Sequence, residues 1–199
     1  MRSYSTFSLN AIWFLVAVNV LVFMAELIAG GGTIQRGNPI ISFLGLTPVL
    51  LWHQPWTMIT SMFVHGGFTH IIFNMISLYF LGSFLIRLVG EGNFLKVYFL
   101  GGIAGNIFYI LLGPQNIPGV GASGAIFALG GALAIMAPKL PVLVFPIPVP
   151  MPLWAAMTLF LVISFFVRGI AWQAHLGGFL LGLLAGYLFK RRRRIRYYA

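Results

Sequence analysis

The chain has 199 residues, of which 60% are hydrophobic and 7% are charged, and its mean hydropathy is +0.98. A soluble domain of this size carries about a quarter charged residues, so the composition excludes an ordinary soluble protein and indicates an integral membrane protein. The sequence contains no cysteine, which excludes disulfides and thiolate chemistry. The length suits one domain of several membrane spans, which we expect to occupy residues 1–199.

The formal net charge is +10, and six of the 12 basic residues lie between Lys190 and Arg196. A basic cluster directly after a final span is typical of a topological anchor that meets anionic lipid heads. We therefore expect this tail to contact the lipid bilayer, and we do not expect nucleic-acid binding.

Six apolar stretches are candidates for membrane-spanning helices, because a hydrocarbon core of about 30 Å requires roughly 20 apolar residues. The first follows Arg2, and we expect it to remain as a span because it lacks a small-residue cleavage site. In chain order the stretches are residues 11–29, 68–88, 94–112, 122–137, 152–168 and 172–189.

Two connections between these stretches are rich in proline. Residues 30–67 are apolar but are interrupted by Pro39, Pro48 and Pro55, which predicts a loop that lies in the membrane interface and does not cross. Residues 138–152 contain six of the 11 prolines, which predicts an extended connector. The expected architecture is an all-α membrane protein, a bundle of six transmembrane helices with an interfacial first loop.

The distribution of basic residues predicts the orientation. Six spans put both termini on one side, and ten basic residues fall on that side, against Arg36 and Arg168 on the other. The positive-inside rule then predicts cytoplasmic termini. We expect a multi-pass protein of a prokaryotic plasma membrane.

The fourth stretch is too short to cross the hydrocarbon core. Its 16 residues cover about 24 Å at 1.5 Å per residue, against a core of about 30 Å. Ser123 therefore begins its helix below the outer surface, after the irregular segment GPQNIPGVGAS. Irregular backbone at that depth is tolerated only inside protein or beside a water-filled cavity, so we expect Ser123 to contact water inside the membrane.

Ionisable residues inside spans are functional candidates by default, and this chain has few. The only acids are Glu26 and Glu91, which excludes an aspartyl protease with paired carboxylates. His65 and His70 are five residues apart, which is not the spacing of a zinc pair on one helix face. We therefore expect no metal and no cofactor.

A serine and a histidine are predicted to meet at the outer ends of two helices. His175 begins a helical face of small residues, which permits another helix to approach closely. This face continues with Gly178, Gly182 and Gly186. The matching face of the fourth stretch consists of Ser123, Gly130, Gly131 and Ala134. Packing of the two faces would bring Ser123 to His175, as nucleophilic catalysis requires.

Two more polar side chains lie in the outer half of the second stretch. His70 and Asn74 are four residues apart and therefore share a helical face. With the backbone N–H of Ser123 at a helix N-terminus, they would supply three donors to a developing oxyanion. Each of these residues alone is commonly a packing or hydrogen-bonding residue of a membrane helix, and only their conjunction at one depth favours catalysis.

Three segments carry a resemblance to a known family: GASG at 121–124, AHLGGFLLGLLAG at 174–186 and HGGFTHIIFNM at 65–75. Together and in this order they resemble the rhomboid intramembrane serine proteases in their minimal six-span form. The resemblance implies that Ser123 is the nucleophile and His175 the general base, without a carboxylate partner. It also implies an oxyanion hole formed by His70, Asn74 and the Ser123 N–H.

The resemblance has further implications for the site and the substrate. Close packing around the site is implied for four residues, Gly121, Gly178, Gly182 and Phe127. The implied substrates are single-span membrane proteins, cleaved within the transmembrane segment near its outer end.

Three positions depart from the family pattern. Thr57 follows Trp56 where an arginine is usual, and Ile86 stands where a glutamate is usual. Phe127 lies where some relatives have tyrosine, so its ring can stack on His175 but offers no hydroxyl.

Two other classes of function are weighed against a protease. A proteolytically inactive relative would bind transmembrane clients, but such relatives typically lose the serine or the histidine, and this chain has both. A small transporter would favour inverted repeats with matching broken helices, and the sequence has no such repeat.

Overall fold

The computed structural model describes residues 9–30, 37–144 and 147–198, and these residues form eight α-helices and one two-stranded hairpin. Arg2 and Arg36, which contribute to the predicted orientation, lie outside the described residues. The helices are α1 (Asn10–Ala29), α2 (Pro39–Leu44), α3 (Thr57–Thr60), α4 (Phe68–Val89), α5 (Glu91–Leu112), α6 (Ser123–Met136), α7 (Leu153–Phe166) and α8 (Trp172–Tyr198), and the strands are β1 (Pro141–Val144) and β2 (Ile147–Pro152).

Three helices in the described part of the chain, α1, α4 and α5, are long and apolar enough to cross a membrane. Helices α6 and α7 are also apolar but have 14 residues each, about 21 Å at 1.5 Å per residue. The helices coincide closely with the six predicted stretches, except that α8 continues to Tyr198. Arginine and lysine are good helix formers, so the basic tail extends this helix. Because α6 and α7 are shorter than a full membrane span, the number of six spans stays a prediction.

The first loop, residues 37–67, contains no helix longer than six residues. Pro39 is the first residue of α2, where its missing N–H costs nothing. The Asn38 side chain caps this short helix, because its Oδ1 accepts from the N–H groups of Ile40 and Ile41. Pro48 begins a 3₁₀ turn in the same way. The prediction that this loop does not form a spanning helix is confirmed for residues 37–67.

The proline-rich connector forms an antiparallel hairpin in which Val142 pairs with Met151. The predicted extended conformation is therefore confirmed for residues 141–144 and 147–152, but the all-α class is wrong for this segment. The prolines prevent an α-helix in this segment, because they lack the N–H group and fix φ. An edge strand of a two-stranded hairpin tolerates them, because it needs few backbone N–H donors for pairing.

Helix α6 lies at the centre of the fold. Every residue from Gly124 to Ala134 is buried, and the most extensive contact of α6 is with α8. The two helices meet backbone to backbone. A methyl group added to Gly178 would overlap the Gly124 carbonyl oxygen, and one added to Gly182 would overlap that of Ala128.

The predicted face of α6 is partly wrong. Gly131 does face α8, where an added methyl would lie 2.6 Å from the Phe179 carbonyl oxygen. Gly130 instead faces the side chain of Met157 on α7. Because α6 is buried on all sides, its small residues serve two neighbouring helices, and periodicity alone does not separate them.

Polar contacts fix several helix ends. Glu91 Oε1 accepts from the Ala11 N–H at 2.7 Å, so a carboxylate lies at the positive N-terminus of α1. Lys190 Nζ donates to the Ile135 carbonyl oxygen at 3.2 Å, which satisfies a carbonyl at the C-terminus of α6.

We predict that Gly182→Ala destabilises the protein while Gly92→Ala does not. The new methyl at position 182 meets backbone that cannot turn away, and overpacking of this kind typically costs about 1–3 kcal/mol. Gly92 is also helical, but no atom of the described residues lies within 4 Å of a methyl added there. The measurement is thermal unfolding of the purified proteins in detergent, and equal stability of the two variants would contradict the prediction.

Candidate active site

Two side chains meet at neighbouring ends of α6 and α8. Ser123 is the first residue of α6, and His175 lies in the first turn of α8. The distance from Ser123 Oγ to His175 Nε2 is 2.9 Å, so the serine hydroxyl can donate to an unprotonated imidazole nitrogen. The close backbone contact of the two helices sets this separation.

The His175 ring is held by stacking. Its centroid lies 4.2 Å from that of Phe127, with 17° between the ring planes. Phe127 follows Ser123 by one helical turn, so α6 supplies both the hydroxyl and the surface that orients the imidazole. The buried Nδ1 of His175 has no hydrogen-bond partner among the described residues. The two acids bond elsewhere, Glu26 to His65 and Glu91 to Ala11.

His70 and Asn74 surround the backbone just before Ser123. A methyl group added to Gly121 would lie 2.7 Å from His70 Nε2 and 3.7 Å from Asn74 Nδ2. Asn74 is buried, and its Nδ2 has no acceptor among the described residues. A buried amide without an acceptor is costly, which marks this donor as available for a ligand.

Gly121 adopts a backbone conformation suited to glycine, with φ at +117°. Its N–H donates to the Ser61 carbonyl oxygen at 2.9 Å. Two residues earlier, Gly119 and Leu46 exchange backbone hydrogen bonds of 2.8 and 3.0 Å. The first loop therefore holds the irregular segment that leads to Ser123.

Asn106 of α5, which lines the same cavity as Ser123, was not identified from the sequence. Its Nδ2 donates to the Met58 carbonyl oxygen at 2.9 Å and to Ser61 Oγ at 3.0 Å, so it anchors the first loop to α5. A cavity of about 10 Å³ beside Ser123 is lined in part by Asn106. The available signal was the one asparagine within the apolar stretch 94–112.

The remaining predicted positions have structural roles. Gly178 packs against Gly124 beside the serine, whereas Gly182 contacts Ala128 one turn farther along α6. Thr57 is buried and donates to the Gln54 carbonyl oxygen at 2.6 Å. Ile86 is buried in the apolar core. Within the described residues there is no group of three or more acidic, histidine or cysteine side chains that could hold a metal ion.

The fold and the site define a helical membrane protein with a serine–histidine pair between closely packed helices. Residues 52–192 match the family model described as Rhomboid domain. The chain belongs to the rhomboid family.

Individual relatives support the same family. YdcA of Bacillus subtilis is 34% identical over 142 residues, which cover 71% of each chain. The rhomboid protease GluP of Bacillus subtilis is 33% identical over 61% of this chain but only 24% of its own length. The inactive RHOMBOID-like protein 8 of Arabidopsis thaliana is 36% identical over 41% of this chain and 23% of its own.

We predict that Gly121→Ala costs more stability than Gly37→Ala. Both glycines have positive φ, at +117° and +91°, where an L-residue is strained by about 1–2 kcal/mol. The methyl at position 121 also displaces His70, whereas a methyl at Gly37 has no atom within 4 Å in the part of the chain that the structure describes. Thermal unfolding of the two variants measures the difference, and equal losses would contradict a tight contact between Gly121 and His70.

Proposed function

We propose that this protein is an intramembrane serine endopeptidase that cleaves transmembrane segments of single-span membrane proteins. The observation that carries the proposal is the 2.9 Å contact between Ser123 Oγ and His175 Nε2 among apolar helices. Rhomboid family membership and the name of GluP as a rhomboid protease support the same reaction class.

In the proposed reaction, His175 Nε2 takes the proton of Ser123 as the serine oxygen attacks the substrate carbonyl carbon. The tetrahedral intermediate then collapses, the imidazolium returns the proton to the leaving amine, and an acyl-enzyme remains. Water, deprotonated by the same imidazole, releases the acid and restores the serine. No carboxylate takes part, in keeping with the unpartnered Nδ1 of His175.

Three N–H donors would hold the oxyanion of the intermediate. Asn74 Nδ2 has no acceptor in the described part of the chain, and His70 Nε2 lies on the same side of Gly121. The third donor is the backbone N–H of Ser123, which opens α6 and so has no partner within the helix. Donors arranged in advance act where charge develops, and this is commonly the largest catalytic effect.

The hydrolytic water needs room near the serine. The cavity beside Ser123 has a volume of about 10 Å³, close to what a single water requires. Asn106 in its wall gives the site a polar surface within an apolar bundle.

We also propose a single domain of six spans with both termini in the cytoplasm, in a prokaryotic plasma membrane. In that orientation Ser123 and His175 lie toward the outer face, so substrates are cleaved near the outer end of their transmembrane segment. A helical peptide bond must unwind before attack. Segments with weak helix formers such as glycine near the outer end are therefore the expected substrates.

The alternative is a proteolytically inactive rhomboid protein that binds transmembrane clients. An inactive relative is similar to part of this chain, so family membership alone does not decide between the two. The intact contact between Ser123 and His175 favours the protease, because a protein that only binds clients does not need a hydroxyl beside an imidazole.

Replacing either member of the pair should abolish activity. Ser123→Ala removes the nucleophile and His175→Ala removes the base, so we expect less than a few per cent of wild-type cleavage of a transmembrane substrate in both. A fluorophosphonate probe should label the wild type and not Ser123→Ala. Ser164→Ala is the matched control, since Ser164 is buried on α7 and its hydroxyl donates to the Leu161 carbonyl oxygen. Substantial cleavage by either site variant would refute the dyad.

Asn74→Ala and His70→Ala should lower kcat more than they raise KM, because oxyanion donors act mainly in the transition state. Loss of one such donor costs about 10²–10³ in kcat in a soluble protease, and less where other donors remain. Asn93→Ala is the control, because Asn93 bonds to the Val89 carbonyl oxygen near the start of α5. A variant with raised KM and unchanged kcat would assign that residue to substrate binding instead.

A further inference from the structure

A buried carboxyl group lies at the end of α1, outside the site described above. Glu26 has no solvent exposure, and its Oε1 accepts from the His65 backbone N–H at 3.0 Å. Its Oε2 has no partner among the described residues. An acidic side chain in an apolar helix is expensive, so its presence calls for a functional explanation.

His65, the partner of Glu26, is in contact with His70, one of the proposed oxyanion donors. His65 is fully buried, and its ring lies edge-on to that of His70 with 5.1 Å between centroids. The next residue, Gly66, donates its backbone N–H to His70 Nδ1 at 3.4 Å. This distance is near the long limit of a hydrogen bond, so a small shift of the His65–Gly66 backbone would break it.

The Gly66 contact has a chemical consequence for His70. A neutral imidazole has one donor and one acceptor nitrogen. If Nδ1 accepts from Gly66, the ring proton is on Nε2, the nitrogen beside Gly121. The same backbone contact therefore selects the tautomer that can donate to an oxyanion.

The link between Glu26 and His65 runs through the backbone and not through an ion pair. Burial, and to a lesser extent the neighbouring His70, lowers the pKa of His65 from its usual 6.5 to about 3. The His65 ring is therefore neutral at physiological pH. What Glu26 supplies is an acceptor at a fixed distance from the His65 N–H.

We propose that Glu26 is a positioning residue of the protease site: its carboxyl oxygen holds the His65–Gly66 backbone, which in turn fixes the orientation and the tautomer of His70. This inference rests on the proposed function. It assigns a role in the reaction to α1, a helix that contributes no residue to the Ser123–His175 pair.

Three substitutions at Glu26 distinguish the position of the hydrogen-bond acceptor from the presence of a carboxyl group. Glu26→Gln keeps an oxygen acceptor at the same distance, so kcat should stay within about twofold of wild type. Glu26→Asp keeps the carboxyl group but draws the acceptor back by one methylene, and Glu26→Met removes the acceptor. Both should lower kcat by about tenfold or more, since misplacement by about 1 Å is costly in catalysis, while KM is unchanged. An active aspartate variant with an inactive glutamine variant would overturn the proposal.

Asn38→Ala is the matched control for loosening of the first loop. The Asn38 side chain donates to the Glu26 backbone carbonyl oxygen at 2.7 Å, so its loss releases the start of the loop without touching the His65 contact. We expect kcat within about twofold of wild type in this variant. A loss equal to that of Glu26→Met would indicate general loosening and overturn the proposal.

A double-mutant cycle tests whether Glu26 acts through His70. Glu26→Met should cause no further loss of kcat in a His70→Ala background, because the residue to be positioned is absent. If the kcat of the double variant falls by the product of the two single losses, Glu26 does not act through His70 and this inference is wrong. The proposed function still stands in that case, provided that the wild type cleaves substrate and is labelled at Ser123. A wild type that is neither active nor labelled would overturn the proposed function, and this inference with it.

Discussion

The structure depends on the contact between two helix backbones. Along α8, Gly178, Gly182 and Gly186 each face a backbone carbonyl of α6, and none has room for a methyl group. In lipid there is little hydrophobic force between helices, so close van der Waals packing of this kind drives their association. The same contact sets the axial register. A slip of one turn, about 5.4 Å, would separate Ser123 from His175 completely.

The rest of the molecule is arranged around this helix pair in two ways. Helices α4, α5 and α7 pack against α6 and bury it. The first loop acts on the other side of the serine, where it bonds to Gly119 and Gly121 and so defines the backbone that carries Ser123. His70 and Asn74 reach the site because α4 begins directly after that loop. Helix packing thus positions Ser123 and His175, and the loop positions His70 and Asn74.

Features that depend on local pattern could be predicted from the sequence. Apolar length marked the helices, proline density marked the extended connector, and a period of four in glycine marked the face of α8. Two hydrogen bonds to distant partners were missed because neither belongs to a repeating pattern. Asn106 donates to Ser61, which lies 45 residues earlier in the chain, and Glu26 accepts from His65, which lies 39 residues later. No periodicity in the sequence connects either pair. Gly130 was assigned to the wrong neighbour because a helix buried on all sides has no single small face.

The order of the helices along the chain has a consequence for biosynthesis. His175 follows Ser123 by 52 residues, so a ribosome makes the hydroxyl well before the imidazole. Until α8 docks against α6, the Ser123 hydroxyl lacks its contact with His175. Under the proposed function, the nucleophile of a growing chain is therefore without its general base until α8 is in place. Docking of α8 against α6 therefore completes both the most extensive contact of α6 and the contact between Ser123 and His175.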